Sequence, residues 1–136
     1  MNREVLFRGA RVCDGKLVNG ALVMVKENDE SEKYIPNIVI SYGPDTFDWF
    51  EVDHETVGQF TGITDINDIK IFEGDIAKYY NPYSKQWYTH IVKWDKMFAL
   101  FGFFTEDSEW CKENDWLKIE CIEVIWNIYD NKDLLK

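Results

Sequence analysis

The stretch that decides the fold is Val57-Gly-Gln-Phe-Thr-Gly-Ile-Thr-Asp-Ile-Asn-Asp-Ile-Lys-Ile-Phe-Glu-Gly-Asp-Ile-Ala-Lys78. Gly58 and Gly62 stand near the two ends of a short strand-like run. Glycine inside a strand weakens it and marks a bulge, a bend or a close backbone approach. Thr64, Asp65, Ile66, Asn67 and Asp68 follow. Asn67-Asp68 tolerates the positive φ that a two-residue hairpin turn needs. Residues 69–72 return as a strand. Glu73-Gly74-Asp75 turns the chain sharply, and residues 76–80 leave as another strand. Short strands separated by glycine corners, with almost no helical periodicity, predict a mainly β chain. The expected architecture is a small barrel-like or sandwich domain of short antiparallel strands with at most one or two short helices. A closed barrel would also hide the edges of so aromatic a sheet.

The flanks agree. On the N-terminal side, residues 4–12 alternate loosely, with Val5, Phe7 and Val12 inward. Asp14-Gly15 is a hairpin signal, and residues 16–18 and 21–26 read as the returning strand, bent at Asn19-Gly20. Residues 27–33 are an exposed loop. Tyr34-Ile35 and residues 37–42 form a second β region interrupted by Pro36, which suits an edge or the start of a strand. Gly43-Pro44-Asp45 is a turn. Residues 46–53 set Phe47 and Trp49 against Asp48 and Phe50, as a half-buried strand does.

On the C-terminal side, Asn81-Pro82 and Ser84-Lys85 form a hairpin loop. Residues 89–94 return with His90, Val92 and Trp94 on one face. Asp95-Lys96 turns, and residues 97–104, almost wholly apolar, read as a buried strand. Residues 105–115 fit either a short helix capped by Thr105 or a loop. Residues 116–129 are β-rich again, and residues 130–136 can close with one helical turn that packs Leu134 and Leu135 back.

Composition fits a folded chain. Of 136 residues, 46% are apolar and 16% aromatic, enough for a core in one domain. That domain is expected to span residues 1–136, with an N-terminal hairpin region at 1–56 and a central and C-terminal barrel region at 57–136. No apolar run approaches a membrane span, and the N-terminus lacks a signal-peptide core. The expected setting is the cytoplasm of a bacterial host cell, away from membranes. Cys13, Cys111 and Cys121 are an odd number with no close pair, which argues against a disulfide framework or a zinc knuckle.

Several pieces together resemble the YopX family of phage and prophage proteins. They are Phe7-Arg8-Gly9, Val57-Gly58-Gln59-Phe60-Thr61-Gly62, Ile71-Phe72-Glu73-Gly74-Asp75-Ile76 and Val92-Lys93-Trp94. The last is Glu123-Val124-Ile125-Trp126-Asn127-Ile128-Tyr129-Asp130-Asn131 with Leu134-Leu135. Their order and spacing cover nearly the whole chain. Two positions depart from the family pattern. Asn67-Asp68 replaces Asn-Gly at the hairpin, and Trp126 stands where the family has glycine. The resemblance implies a small, mostly β domain of phage origin. It carries no catalytic residues with it.

Tests for chemistry point away from an enzyme. Asp65, Asp68, Glu73 and Asp75 crowd one region, but the calcium-loop spacing fails. Asp65 and Asn67 fit the first two ligand positions, but the next acid comes a residue early, no glycine follows at the sharp turn, and Ile76 occupies the bidentate position. Turn chemistry accounts for Asp65, Asn67 and Asp68, and side-chain-to-backbone bonds account for Glu73 and Asp75. His54 and His90 are the only histidines, neither is near a cysteine in sequence, and no Gly-x-Ser-x-Gly elbow is present. Neither glycine-rich phosphate motif occurs. No cofactor and no metal are expected.

The net charge is −10. An acidic surface repels phosphate and disfavours duplex nucleic acid. Residues 78–93 are the exception, with three lysines, no carboxylate and alternating rings. Tyr80, Tyr83, Lys85, Trp87 and Tyr88 are the candidate contact residues. Rings beside cations can form a hot spot for a protein partner or stack single-stranded bases, while half of them can simply face the core. The expected function is a non-catalytic binding module with a protein partner, and self-association is a second expectation. The alternatives are an acidic mimic of DNA that blocks a host DNA-binding protein, or a weak single-strand binder.

Overall fold

A computed structural model describes residues 4–104 and 122–129. The expected helix or loop at 105–115, the start of the last β-rich stretch at 116–121, and the closing turn at 130–136 lie outside those residues, as do Cys111 and Cys121. The described chain is mainly β, as the punctuation of residues 57–78 predicts. Its strands are β1 (Phe7–Ala10), β2 (Leu17–Lys26), β3 (Tyr34–Gly43), β4 (Thr46–Glu51), β5 (Gly58–Thr64), β6 (Lys70–Phe72), β7 (Asp75–Asn81), β8 (Gln86–Asp95), β9 (Leu100–Phe104) and β10 (Ile122–Asn127). A single 3-10 turn at His54–Thr56 is the one helical element among the described residues. All the strand pairs with a described ladder are antiparallel. The chain divides into two compact units, one ending at Phe60 and one beginning at Thr61. The boundary falls inside β5.

In the first unit β4, β3, β2 and β1 pair in that order. Gly58 and Gln59, at the start of β5, pair with Arg8 and Phe7. Asp14-Gly15 makes the expected turn, with Gly15 at φ 73°. β2 then changes partner along its length. Its first residues pair with β1 up to Gly20, and those from Ala21 pair with β3. Ile38, Val52 and Phe60 are the buried apolar core. The 3-10 turn is fixed from both sides. Thr56 Oγ1 accepts the Ala10 N–H at 2.8 Å and donates to the Asp53 carbonyl at 2.7 Å. Asp53 caps the turn by accepting the Glu55 N–H at 3.0 Å.

Two expectations are corrected here. Val5 and Val12 are exposed rather than inward, because the strand they were assigned to spans only Phe7–Ala10. Pro36 is neither at an edge nor at a strand start. It sits third in β3, between β2 and β4, opposite Met24. Its carbonyl accepts the Val52 N–H at 3.1 Å. The N–H and C=O of one strand residue point to the same side. The missing donor therefore faces the point where β4 has already ended, and the ladder loses little.

In the second unit the end of β5 meets β6, and the sheet runs β10-β7-β8-β9. Ile71, Ala77, Val92, Phe103 and Ile122 form its core, with Ile63 and Val124 packed against them. Among the described residues neither sheet order closes on itself, and two antiparallel sheets of short strands fit the expected barrel-like or sandwich class. Gly62, at φ 93°, marks the irregularity that glycine in this strand predicts.

Residues 97–104 are not one buried strand. β9 begins at Leu100, and Met97, 83% exposed, lies with Phe98 in an outward turn. Asp95 Oδ1 draws the chain round by accepting the N–H groups of Met97 at 2.8 Å and Phe98 at 3.2 Å. Trp126 is accommodated by a β-bulge between Val124 and Trp126, which leaves it exposed opposite Ile76.

Candidate binding surface

Asp65, Gly74 and Asp75 shape the backbone of residues 65–75. Asp65 is almost fully buried. Its Oδ1 accepts the N–H groups of Asn67 at 2.8 Å and Ile69 at 3.0 Å, and its Oδ2 accepts the Val124 N–H at 2.9 Å. Three backbone donors occupy one carboxylate, which suits a structural anchor. The turn is wider than the two-residue hairpin expected. Asp65 N–H donates to the Ile69 carbonyl at 2.8 Å, and only Asp68 takes a positive φ, of 59°. Asp75, also buried, accepts the Phe72 N–H at 2.8 Å. Gly74 between them has φ 93°, and a Cβ there would lie 2.9 Å from the Tyr129 ring. Its N–H donates to the Val92 carbonyl at 2.8 Å and its carbonyl accepts the Ile128 N–H at 2.9 Å. This corner aims β7 and so sets the face of the hairpin that follows.

β7 and β8 are joined by a turn that Asn81 organises. Its Oδ1 accepts the N–H groups of Tyr83 at 2.9 Å and Ser84 at 3.3 Å, and its carbonyl accepts the Lys85 N–H at 2.8 Å. Lys85 adopts φ 57° to close the turn. The ladder sets Tyr80 opposite Trp87 and Tyr79 opposite Tyr88. Strand residues alternate between faces, so the five candidate residues divide.

One face is core. Tyr79 is fully buried, stacked on Tyr88 with centroids 5.7 Å apart, and its hydroxyl lies 3.1 Å from His90 Nε2. Tyr88 is half-buried, and its hydroxyl donates to Ser84 Oγ at 3.2 Å. It supports the surface from behind more than it forms it.

The other face is open. Trp87 is 59% exposed and lies 5.5 Å from Tyr80, which is also exposed. Lys78 holds its Nζ 4.9 Å from the Trp87 ring centroid, within cation–π range. Tyr83 at the tip is 88% exposed, and Lys85 is exposed beside it. The structure thus brings Tyr80, Trp87, Tyr83 and Lys85 to one end of the hairpin. It adds Lys78 and one residue that the segment alone does not reveal. Glu123 on β10 lies opposite Lys78, with Oε2 3.4 Å from Nζ. The hairpin is acid-free in sequence but not in space. No local signal could have paired Glu123 with Lys78; only the register of β10 does so.

The first unit holds a separate cleft of about 770 Å³ lined by Arg11, Glu27, Lys33, Glu51, Asp53 and His54 among others. Its cations are engaged at home. Lys33 lies 3.7 Å from Glu27, and Arg11 lies 3.4 Å from Asp14 with its guanidinium 4.5 Å from the Phe50 centroid. A hydrogen bond to the Cys13 sulfur, then the Asp14 charge, raises the Arg11 pKa against partial desolvation, so the guanidinium stays charged. Among the described residues no group of histidine, cysteine and carboxylate side chains is arranged to hold a metal ion. No helix among them is long and apolar enough to cross a membrane.

Comparison with known proteins agrees with this fold. A family model described as YopX protein matches residues 6–136. Among solved structures, the crystal structure of protein EF1440 from Enterococcus faecalis is similar, with a TM-score of 0.56 and 22% identity. The match covers 99% of this chain and 100% of that one. A search of curated proteins found no match.

Proposed function

The chain belongs to the YopX family, and from that premise we propose that it is a non-catalytic binding module of phage type. It acts in the cytoplasm and engages a protein partner through the open face of the β7–β8 hairpin. The observation that carries this is the Tyr80–Trp87 pair, exposed yet braced by Lys78 over the ring. Rings held in place before contact lose little conformational freedom on binding, which is the character of an interface anchor.

Glu123 weighs on the choice of partner. Its contact with Lys78 offsets the nearest cation, leaving a surface richer in rings than in charge. That favours a protein over a phosphate backbone, which binds through unpaired cations.

The test is Tyr83→Ala with Trp87→Ala in a full-length chain. Capture of a specific partner from host lysate should be lost while the circular dichroism spectrum is kept. Unchanged capture rejects the site. Capture of a basic DNA-binding protein that survives both substitutions but fades with salt would instead support imitation of DNA by the acidic segments. Salt-sensitive binding of a labelled oligothymidine would support single-strand recognition.

A further inference from the structure

We propose that the outward face of the β2–β3–β4 sheet is the interface through which two copies of this chain pair. The ladder sets Trp49 opposite Val39, and Val39 opposite Ala21, in one row across three strands. Phe47 lies on the same face opposite Ser41, and Val23 and Val25 continue it along β2. Trp49 is 55% exposed and Phe47 50%. The opposite face carries Ile38, which is fully buried. This sheet therefore covers a core on one side and leaves an apolar side bare.

A β-sheet with an apolar face reaches a stable arrangement by gaining a second layer. Phe47, Trp49, Ala21 and Val25 are exposed and Val39 and Val23 half-buried on the same face, and an apolar patch of this kind marks an interaction site. Charge selects the occupant. The chain carries −10, so two copies repel across acidic surfaces. Glu51, opposite Asn37, is the one charged residue that the β2–β3–β4 ladders place on this face, and Arg8, opposite Asn19, adjoins it on β1. Asp48, its neighbour on β4, belongs to the other face, and its hydrogen bond holds the Tyr42 hydroxyl pKa above the ordinary value. One acid at the β4 edge and one cation at the β1 edge nearly cancel, so the face offers no charge cluster to attract either an acidic or a basic partner. It does offer a nearly neutral surface on which two acidic chains can meet.

A twofold axis would lay the Trp49–Val39–Ala21 row of one copy against the same row of the other. The two sheets would stand about 10 Å apart, as sheets packed face to face do. This inference is independent of the β7–β8 surface, whose residues lie on other strands.

The test is the mass of the full chain in solution, by sedimentation equilibrium from micromolar to submillimolar concentration. The wild type is expected as a reversible dimer that high salt leaves intact or tightens, because screening removes repulsion. Phe47→Ser with Trp49→Ser should weaken association at least tenfold. Trp49→Lys, a milder change at an exposed position, should do so with the thermal midpoint of the monomer preserved. Tyr83→Ala with Trp87→Ala should leave the dimer unchanged. A wild type that is monomeric throughout overturns the proposal. So does a dimer indifferent to Trp49→Lys, or one that dissociates as salt rises.

Discussion

The carboxylate of Asp65 accepts the backbone N–H of Val124 at 2.9 Å and so ties the β5–β6 turn to β10, across 59 positions of sequence. The same turn is tied again where Ile66 N–H donates to the Ile122 carbonyl at 3.1 Å. Asp65→Ala would strip one acceptor from three backbone donors. Hydrogen bonds to a charged group are worth about 1.5–3 kcal/mol each, and they are not additive here. The expected loss is about 3–5 kcal/mol, read by urea denaturation. Asp65→Asn, which keeps one acceptor oxygen, should lose less. A loss within experimental error for Asp65→Ala would remove Asp65 as the anchor.

Gly74→Ala should be costly for two reasons. The backbone there is left-handed at φ 93°, and the new Cβ would meet the Tyr129 ring at 2.9 Å. The conformation alone costs an L-residue about 1–2 kcal/mol. With the ring overlap added, the lowered stability should exceed that of an ordinary surface change severalfold. Tyr129→Ala in the same chain should recover the steric part only, so the double variant is more stable than additivity predicts.

Tyr79 and Tyr80 are neighbours with opposite roles, and paired alanine substitutions separate them. Tyr79→Ala opens a cavity in the second unit's core and should cost about 3–5 kcal/mol. Tyr80→Ala removes an exposed ring, and its cost should stay below about 1 kcal/mol. Thermal unfolding of the two proteins side by side checks the alternation of β7. Equal costs would contradict the alternation, and a larger cost for Tyr80→Ala would mean that the faces are exchanged.

Ala99 closes the β8–β9 turn at φ 55°, where glycine or asparagine fits better. Ala99→Gly should raise stability by about 0.5 kcal/mol, the left-handed penalty less the added freedom of the unfolded chain. Gly15→Ala, at φ 73° with open space around its missing Cβ, should lower it by a similar amount. Chemical denaturation of both variants reads the pair.

What could be read without coordinates was the local part. Asp14-Gly15 and Asn81-Pro82 specify their turns through residues that bond to near neighbours, and Glu73-Gly74-Asp75 through the left-handed glycine and the Asp75 bond to Phe72. The strands between them followed from those turns. The direction in which rings face did not. Met97 and Phe98 look like core by composition, yet Asp95 folds them into an outward turn. Pro36 looks like an edge residue, yet it sits where the neighbouring strand has run out. Trp126 faces outward because of a bulge that no residue nearby announces. The candidate surface shows the same division. Tyr80, Tyr83, Lys85 and Trp87 were legible as a cluster. Tyr88 and Glu123 depend on which strand lies alongside, and that is a long-range property.

The tie between Asp65 and Val124 also bears on how the protein is made. A ribosome that has extended the chain past Phe60 has already delivered every strand partner that β1 to β4 require. The second unit must wait. Ala77 and Lys78 meet β10 only after more than forty further residues have emerged, and closing so long a loop is slow relative to a hairpin. Until then Asp65 holds an acceptor oxygen with no donor and Ala77 has an open flank. Nascent or truncated chains that stop short of Ile122 should therefore be the form that proteases and chaperones find first.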